Sequence, residues 1–219
     1  MEMTLSETLL RSYWDSNKTK HESIVNKLHY YPCGIWFTEG FLLCSINDLL
    51  NVDLIVESGT AWGQSTEIFA NYFPDKHVIT IDTGQNYNNW EETKDRLSVY
   101  NNITCMKGDS YNVIPEVIQH YSDLRIGVFI DGPKGEAGVN LSNRLRGHKN
   151  IISVAFHDMP YGRIKSLLQP DAEVFHSHNL KFISDDYFYL NEKVFILDEE
   201  QKKWLPYGPS MAVELIKGA

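Results

Sequence analysis

Acidic residues stand at the ends of five short apolar runs in this chain, and that repetition is its first chemical signal. Glu57 closes VDLIVE, Asp82 closes HVITID, Asp109 closes ITCMKGD, Asp131 closes RIGVFID, and the pair His157–Asp158 closes IISVAFHD. Carboxylates are poor strand formers, so five such placements exceed chance. A carboxylate at a strand end can accept hydrogen bonds from ligand hydroxyl or amino groups, or hold a cation. A histidine among them, with an unperturbed pKa near neutrality, can take a proton from a hydroxyl.

The first strand end leads into a turn with a spacing of its own. Residues 57–65 read E-x-G-x-x-x-G-x-S. Gly59 and Gly63 let the backbone turn sharply and approach a ligand closely. Gln64 to Phe73 has helical spacing, so the turn delivers a helix N-terminus, which favours anionic groups. The dinucleotide fingerprint G-x-G-x-x-G would need glycines at 57, 59 and 62, where Glu57, Gly59 and Trp62 stand. A P-loop from Gly59 would need Gly-Lys where Gln64 and Ser65 stand. Both fail. What remains resembles the first motif of class I S-adenosylmethionine (SAM) dependent methyltransferases. The plainer alternative is a βα turn with two structural glycines.

The resemblance implies that the turn, with Glu57, Gly59, Thr60, Gly63 and Ser65, cradles the methionine part of SAM. It implies that Asp82 accepts the ribose hydroxyls, that Asp109 and Ser110 lie near the adenine amino group, and that Asp131 borders the cofactor. Asp82 could also be a surface carboxylate, and Asp109 a helix N-cap.

The fourth and fifth strand ends bear on the methyl acceptor. Members that methylate amines often carry Asn-Pro-Pro-Tyr after the fourth strand. Here the residues are Asp131-Gly132-Pro133-Lys134, which disfavours that group. IDG followed by HD is similar to small-molecule and sugar O-methyltransferases, including viral glycan-building enzymes. In metal-dependent members an Asp of the fourth strand and an Asp-Asp pair of the fifth hold a divalent cation. Asp131 and Asp158 match, whereas His157 replaces one acid, which argues against Mg²⁺ or Mn²⁺ here. Some relatives place a basic carboxylate where Pro133 stands. His157 is therefore the expected general base, oriented by Asp131 or Asp158, with a core histidine as the plainer alternative. Lys134 is the second candidate and needs a depressed pKa to serve. His176 and His178 form H-x-H without supporting context.

Positioning these groups requires alternating elements. Strands are expected at 52–57, 77–82, 103–109, 125–131 and 151–158. Helices are expected at 64–73, 88–100, 112–121, up to Arg146 and at 161–168. Such alternation implies a parallel sheet with helices on both faces and ligands at the carboxyl ends of the strands. Beyond residue 170, EVFH, KFI, DYFYL, KVFIL and MAVELIK read as short strands. The expectation is an α/β, Rossmann-like class I methyltransferase fold with a mostly parallel seven-stranded sheet. Residues 51–219 form the SAM-dependent domain. Residues 1–50 form a helical prelude, with Thr38 as an N-cap, which covers the sheet or contributes to a lid.

The 219 residues suit one domain. The net charge of −9 and pI near 5.3 argue against a nucleic-acid partner. Cys33, Cys44 and Cys105 show no paired or metal-type spacing, which suggests reduced thiols. No apolar run approaches a membrane span, and MEMTLSETLL lacks the pattern of a signal peptide, so a cytoplasmic location is expected. A homodimer, or a place within a larger enzyme, stays open. The expected activity is methyl transfer from SAM to a hydroxyl of a small molecule, with a sugar or glycan leading. Trp62, Tyr87, Tyr161 and Tyr207 would line the acceptor. Alternatives are a catechol-type acceptor, an NAD-binding oxidoreductase or epimerase, and a non-enzymatic nucleotide-binding module.

Overall fold

The computed structural model describes residues 5–28, 31, 34–85, 90–134, 136–157, 180–183 and 211–216. Three helices come first: α1 (Glu7–Ser16), α2 (Lys18–Val25) and α3 (Phe37–Leu49). Strand and helix then alternate through β1 (Leu54–Ser58), α4 (Gln64–Tyr72), β2 (His77–Asp82), α5 (Trp90–Leu97) and β3 (Ile103–Lys107). They continue through α6 (Ser110–His120), β4 (Ile126–Ile130), α7 (Glu136–Leu145) and β5 (Ile151–Phe156). Two further strands are β6 (Leu180–Ile183) and β7 (Ala212–Leu215).

The strands form one seven-stranded sheet in the order β3-β2-β1-β4-β5-β7-β6. The first five strands pair in parallel, and β7 runs antiparallel to both β5 and β6. The chain moves outward from β1 to β2 and β3, then crosses back to β4 on the other side of β1. That reversal opens a crevice at the carboxyl ends of β1 and β4. β1, β4 and β5 are buried along their whole length, which is why they read as continuous apolar runs.

Alternate side chains of the strands feed two cores. On one face Ile55, Val78 and Phe129 pack with Trp14, Phe41, Ile46, Ile68 and Phe69. On the other, Val56, Ile79 and Val128 pack with Ile114, Ile118, Leu141 and Leu145. α1, α2 and α3 thus cover one face of the sheet, and α3 is buried along nearly all of it. Among the described residues no helix is long and apolar enough to cross a membrane. Cys44 is buried, and it and Cys105 are free thiols.

Most expected boundaries shift by one or two residues. Val52 lies ahead of β1, its N–H donating to Asn47 O at 2.9 Å. Glu57 is inside β1, with Ser58 as the last residue. Thr38 is not the cap of α3: the helix begins at Phe37 behind an extended Trp36. α6 begins at Ser110, two residues early, because Asp109 caps it. KFI falls in β6, and AVEL of MAVELIK forms β7. The expected helix at 161–168 and the segments EVFH, DYFYL and KVFIL lie outside the described residues.

Candidate active site

The glycine turn is held between two strand ends. Gly59 has a φ of +95°, and a Cβ built on it would stand 2.7 Å from Gly132 Cα, just beyond β4. The Ser58 carbonyl accepts from the N–H groups of Asp131 (2.8 Å) and Gly132 (2.7 Å). Gly63, at φ +73°, is the N-cap of α4. Behind the turn, the fully buried Glu57 accepts from the hydroxyls of Ser65 and Thr66 in the first turn of α4. Burial pushes the Glu57 pKa up to about 7, although the hydroxyls of Ser65, Thr66 and Thr80 counter it. The Thr60 hydroxyl bonds that of Thr80 at 2.6 Å. Glu57, Thr60, Gly63 and Ser65 therefore shape the turn from inside the protein.

Asp82 ties this turn to the loop after β2. Its Oδ1 accepts from Gly84 N at 2.8 Å, and its Oδ2 accepts from Ala61 N at 3.1 Å. Each oxygen keeps a lone pair for a further donor. A cavity of about 490 Å³ opens beside it, within the size range of small-molecule sites. Gly59, Asp82, Asp109 and Ser110 line it, together with Thr83, which directly follows Asp82, and Tyr111, in the first turn of α6. Gly132, Pro133 and Asn140 also border it. Asp109 caps α6, accepting from Tyr111 N at 3.0 Å and Asn112 Nδ2 at 3.1 Å. Ser58 Oγ donates to Ser110 Oγ at 2.7 Å. The Arg144 guanidinium lies 4.6 Å from the centre of the Tyr111 ring. Thr83, next to Asp82, could have been found from the strand-end rule. Asn140, on α7, had no such signal.

A second set of groups gathers at the ends of β4 and β5. Asp131 Oδ1 receives the Lys134 ammonium and, at 2.9 Å, His157 Nδ1. His157 Nε2 lies 3.2 Å from Glu39 Oε2 on α3. The side chains of His157 and Glu39 are only 10% and 2% exposed. Burial by itself would raise the Asp131 pKa, but the charges of His157 and Lys134 hold it well below the usual carboxylate range. Both ring nitrogens of His157 thus face carboxyl groups, Nδ1 that of Asp131 and Nε2 that of Glu39. Lys134 pairs with Asp131 through the same carboxylate oxygen that His157 approaches. Sequence reasoning missed Glu39, since an acid inside a helix looks like any surface acid.

Trp62 stacks on Tyr31 at 5.7 Å with the rings 5° apart. Gln64 fastens the segment before α3 to the turn: its Oε1 accepts from Tyr31 N at 2.6 Å and its Nε2 donates to Ile35 O. Asp158, Tyr87, Tyr161, Tyr207, His176 and His178 lie outside the described residues.

Three solved structures share this architecture. The O-methyltransferase TomG from Streptomyces achromogenes, involved in tomaymycin synthesis and solved with SAM, gives a TM-score of 0.55 at 18% identity. The match covers 91% of this chain and 89% of TomG. Cofactor-bound Rv0187 from MTB gives 0.53 at 14% identity, over 94% of this chain and 91% of its own. A Staphylococcus aureus protein with a provisional assignment as a caffeoyl-CoA O-methyltransferase gives 0.50 at 17% identity, over 96% and 100%. No protein-family model matches the sequence, and neither does any curated protein. At these identities the likeness establishes the fold, which is that of the class I SAM-dependent methyltransferases.

Proposed function

We propose that this chain is a SAM-dependent O-methyltransferase acting on a small-molecule hydroxyl, with a sugar or glycan as the leading acceptor. The observation that carries this is the cavity at the sheet's switch point, bordered by the close approach of Gly59 to Gly132 and by Asp82 and Asp109. Two of the structures similar in fold are named as O-methyltransferases, which supports a hydroxyl as the acceptor.

The residues present fit the cofactor. Asp82 retains acceptor capacity for the ribose hydroxyls, and Asp109 and Ser110 offer polar groups to the base. The acid-rich edge suits a cationic ligand. When bound, SAM supplies a methyl group on a sulfonium, open to attack by the acceptor oxygen. The chain then has to align that oxygen, exclude water and receive the hydroxyl proton as the O–C bond forms and the S–C bond breaks. The network of Asp131, His157 and Glu39 at the ends of β4 and β5 is the group of side chains that would receive the hydroxyl proton.

Calorimetric titration with SAM, NAD and ATP tests the reading. SAM and its demethylated product should bind and raise the melting temperature by mass action. A rise with NAD and none with millimolar SAM would overturn it. Production of S-adenosylhomocysteine with simple glycosides, but not with catechols, would support the sugar acceptor, and the reverse would reject it.

A further inference from the structure

In the metal-dependent O-methyltransferases that the sequence resembles, an acid of the fourth strand, matched here by Asp131, and two acids of the fifth hold a divalent cation; here His157 stands in place of one of the two. Among the described residues the donor set does not fit such a cation. A metal ion needs lone pairs converging on one position. Here Asp131 Oδ1 already takes two nitrogen donors, Lys134 Nζ and His157 Nδ1. Nε2, on the far side of the ring, faces Glu39 Oε2 at 3.2 Å. A bare ring nitrogen set against a carboxylate oxygen would oppose two lone pairs, so this bracketing calls for hydrogen on both nitrogens. Such a ring has nothing to give a metal and is itself a cation. Two carboxylates then balance one imidazolium and one ammonium.

We propose that His157 and Lys134 take the place of the divalent cation, so that the positive centre of the acceptor site is built from protein. Asp131 holds it from the end of β4, and Glu39 holds it from α3 of the prelude. A fixed cation there can stabilise negative charge developing on an acceptor oxygen as its proton leaves. That catalytic consequence rests on the methyltransferase reading, whereas the site's indifference to metal does not. The low pKa of Asp131 agrees with two cations at its side.

The test uses the full chain and manganese(II) chloride alone, followed by calorimetry and by melting temperature. Wild type should show no saturable heat and no shift. His157→Asp removes the ring and adds a carboxylate beside Asp131 and Glu39. It should gain Mn²⁺ binding, with a rise of about 3–6 °C at millimolar metal. Saturable Mn²⁺ binding by wild type that disappears in Asp131→Asn would overturn the proposal. So would a folded His157→Asp that takes up no Mn²⁺. If His157→Asp does not fold, Lys134→Ala serves, since that side chain is 44% exposed. It should stay blind to Mn²⁺ because the imidazole remains, and binding by it would equally overturn the proposal. A SAM titration on the same preparations separates the two readings. Failure to bind SAM removes the function and leaves the metal result standing, while Mn²⁺ binding by wild type does the opposite.

Discussion

His21 stacks on Phe41 at 4.4 Å between Trp14 and Tyr72, fully buried, and neither of its ring nitrogens has a hydrogen-bond partner among the described residues. Burial, with help from Lys20 and Lys18, lowers its pKa from 6.5 to about 4. The native state therefore binds fewer protons than the unfolded chain between those values. Stability from this residue is complete above pH 6.5 and is lost as the pH falls towards 4, by about 3 kcal/mol. Denaturant unfolding of wild type and His21→Leu should show the variant gaining on wild type as the pH drops from 7 to 4.5. Equal slopes would dismiss the idea. Glu57 acts with the opposite sign, because its pKa is raised from 4.5 to about 7. Its contribution is complete below pH 4.5 and is lost as the pH rises through 7. Glu57→Gln should therefore gain on wild type between pH 5 and 8 by about 2–3 kcal/mol. At Glu39, truncation to Ala would leave His157 Nε2 without this carboxylate in a nearly closed site. A loss of about 2 kcal/mol is expected, read from the unfolding midpoint. An unchanged midpoint would show that the bond contributes nothing.

At the scale of elements, the turn between β1 and α4 depends on Gly59. From the sequence, a side chain there should fill space reserved for a ligand. In the fold it would also strike Gly132 and force a residue other than glycine to φ +95°. Gly59→Ala should therefore cost about 2–4 kcal/mol and remove SAM binding together with stability. Loss of binding at an unchanged melting temperature would point to the ligand alone. The caps of neighbouring elements were partly legible. Asp109 before α6 was one of two readings the sequence allowed, and the structure shows the cap. The start of α3 was not legible. Trp36 precedes it in an extended conformation without a side-chain cap bond, and α3 is buried along nearly all its length, so packing decides where it begins.

For the whole molecule, the prelude and the sheet share one core. Phe41, Ile46 and Trp14 lie in the same cluster as Ile55, Val78 and Phe129. A chain starting at residue 51 would expose that face of the sheet. It should aggregate or lose its near-ultraviolet circular dichroism while keeping far-ultraviolet signal. A cooperative melt in the truncated chain would show that the prelude is dispensable.

The five parallel strands and the acids at their ends could be read from the sequence alone, because both are local properties. A strand buried on both faces must be a short apolar run, and a carboxylate beside it marks where burial stops. The glycine turn was legible for the same reason, since its spacing lies within nine residues. What the sequence could not determine was where each polar atom is directed. Glu57 and Asp82 look alike as strand-end acids, yet one is sealed beneath α4 and the other borders the cavity. Glu39 and His157 are 118 residues apart and meet only because α3 packs across the sheet next to the end of β5. Only the tertiary structure brings a second carboxylate to His157, because the helix that carries it and the strand that carries the ring are distant in the chain.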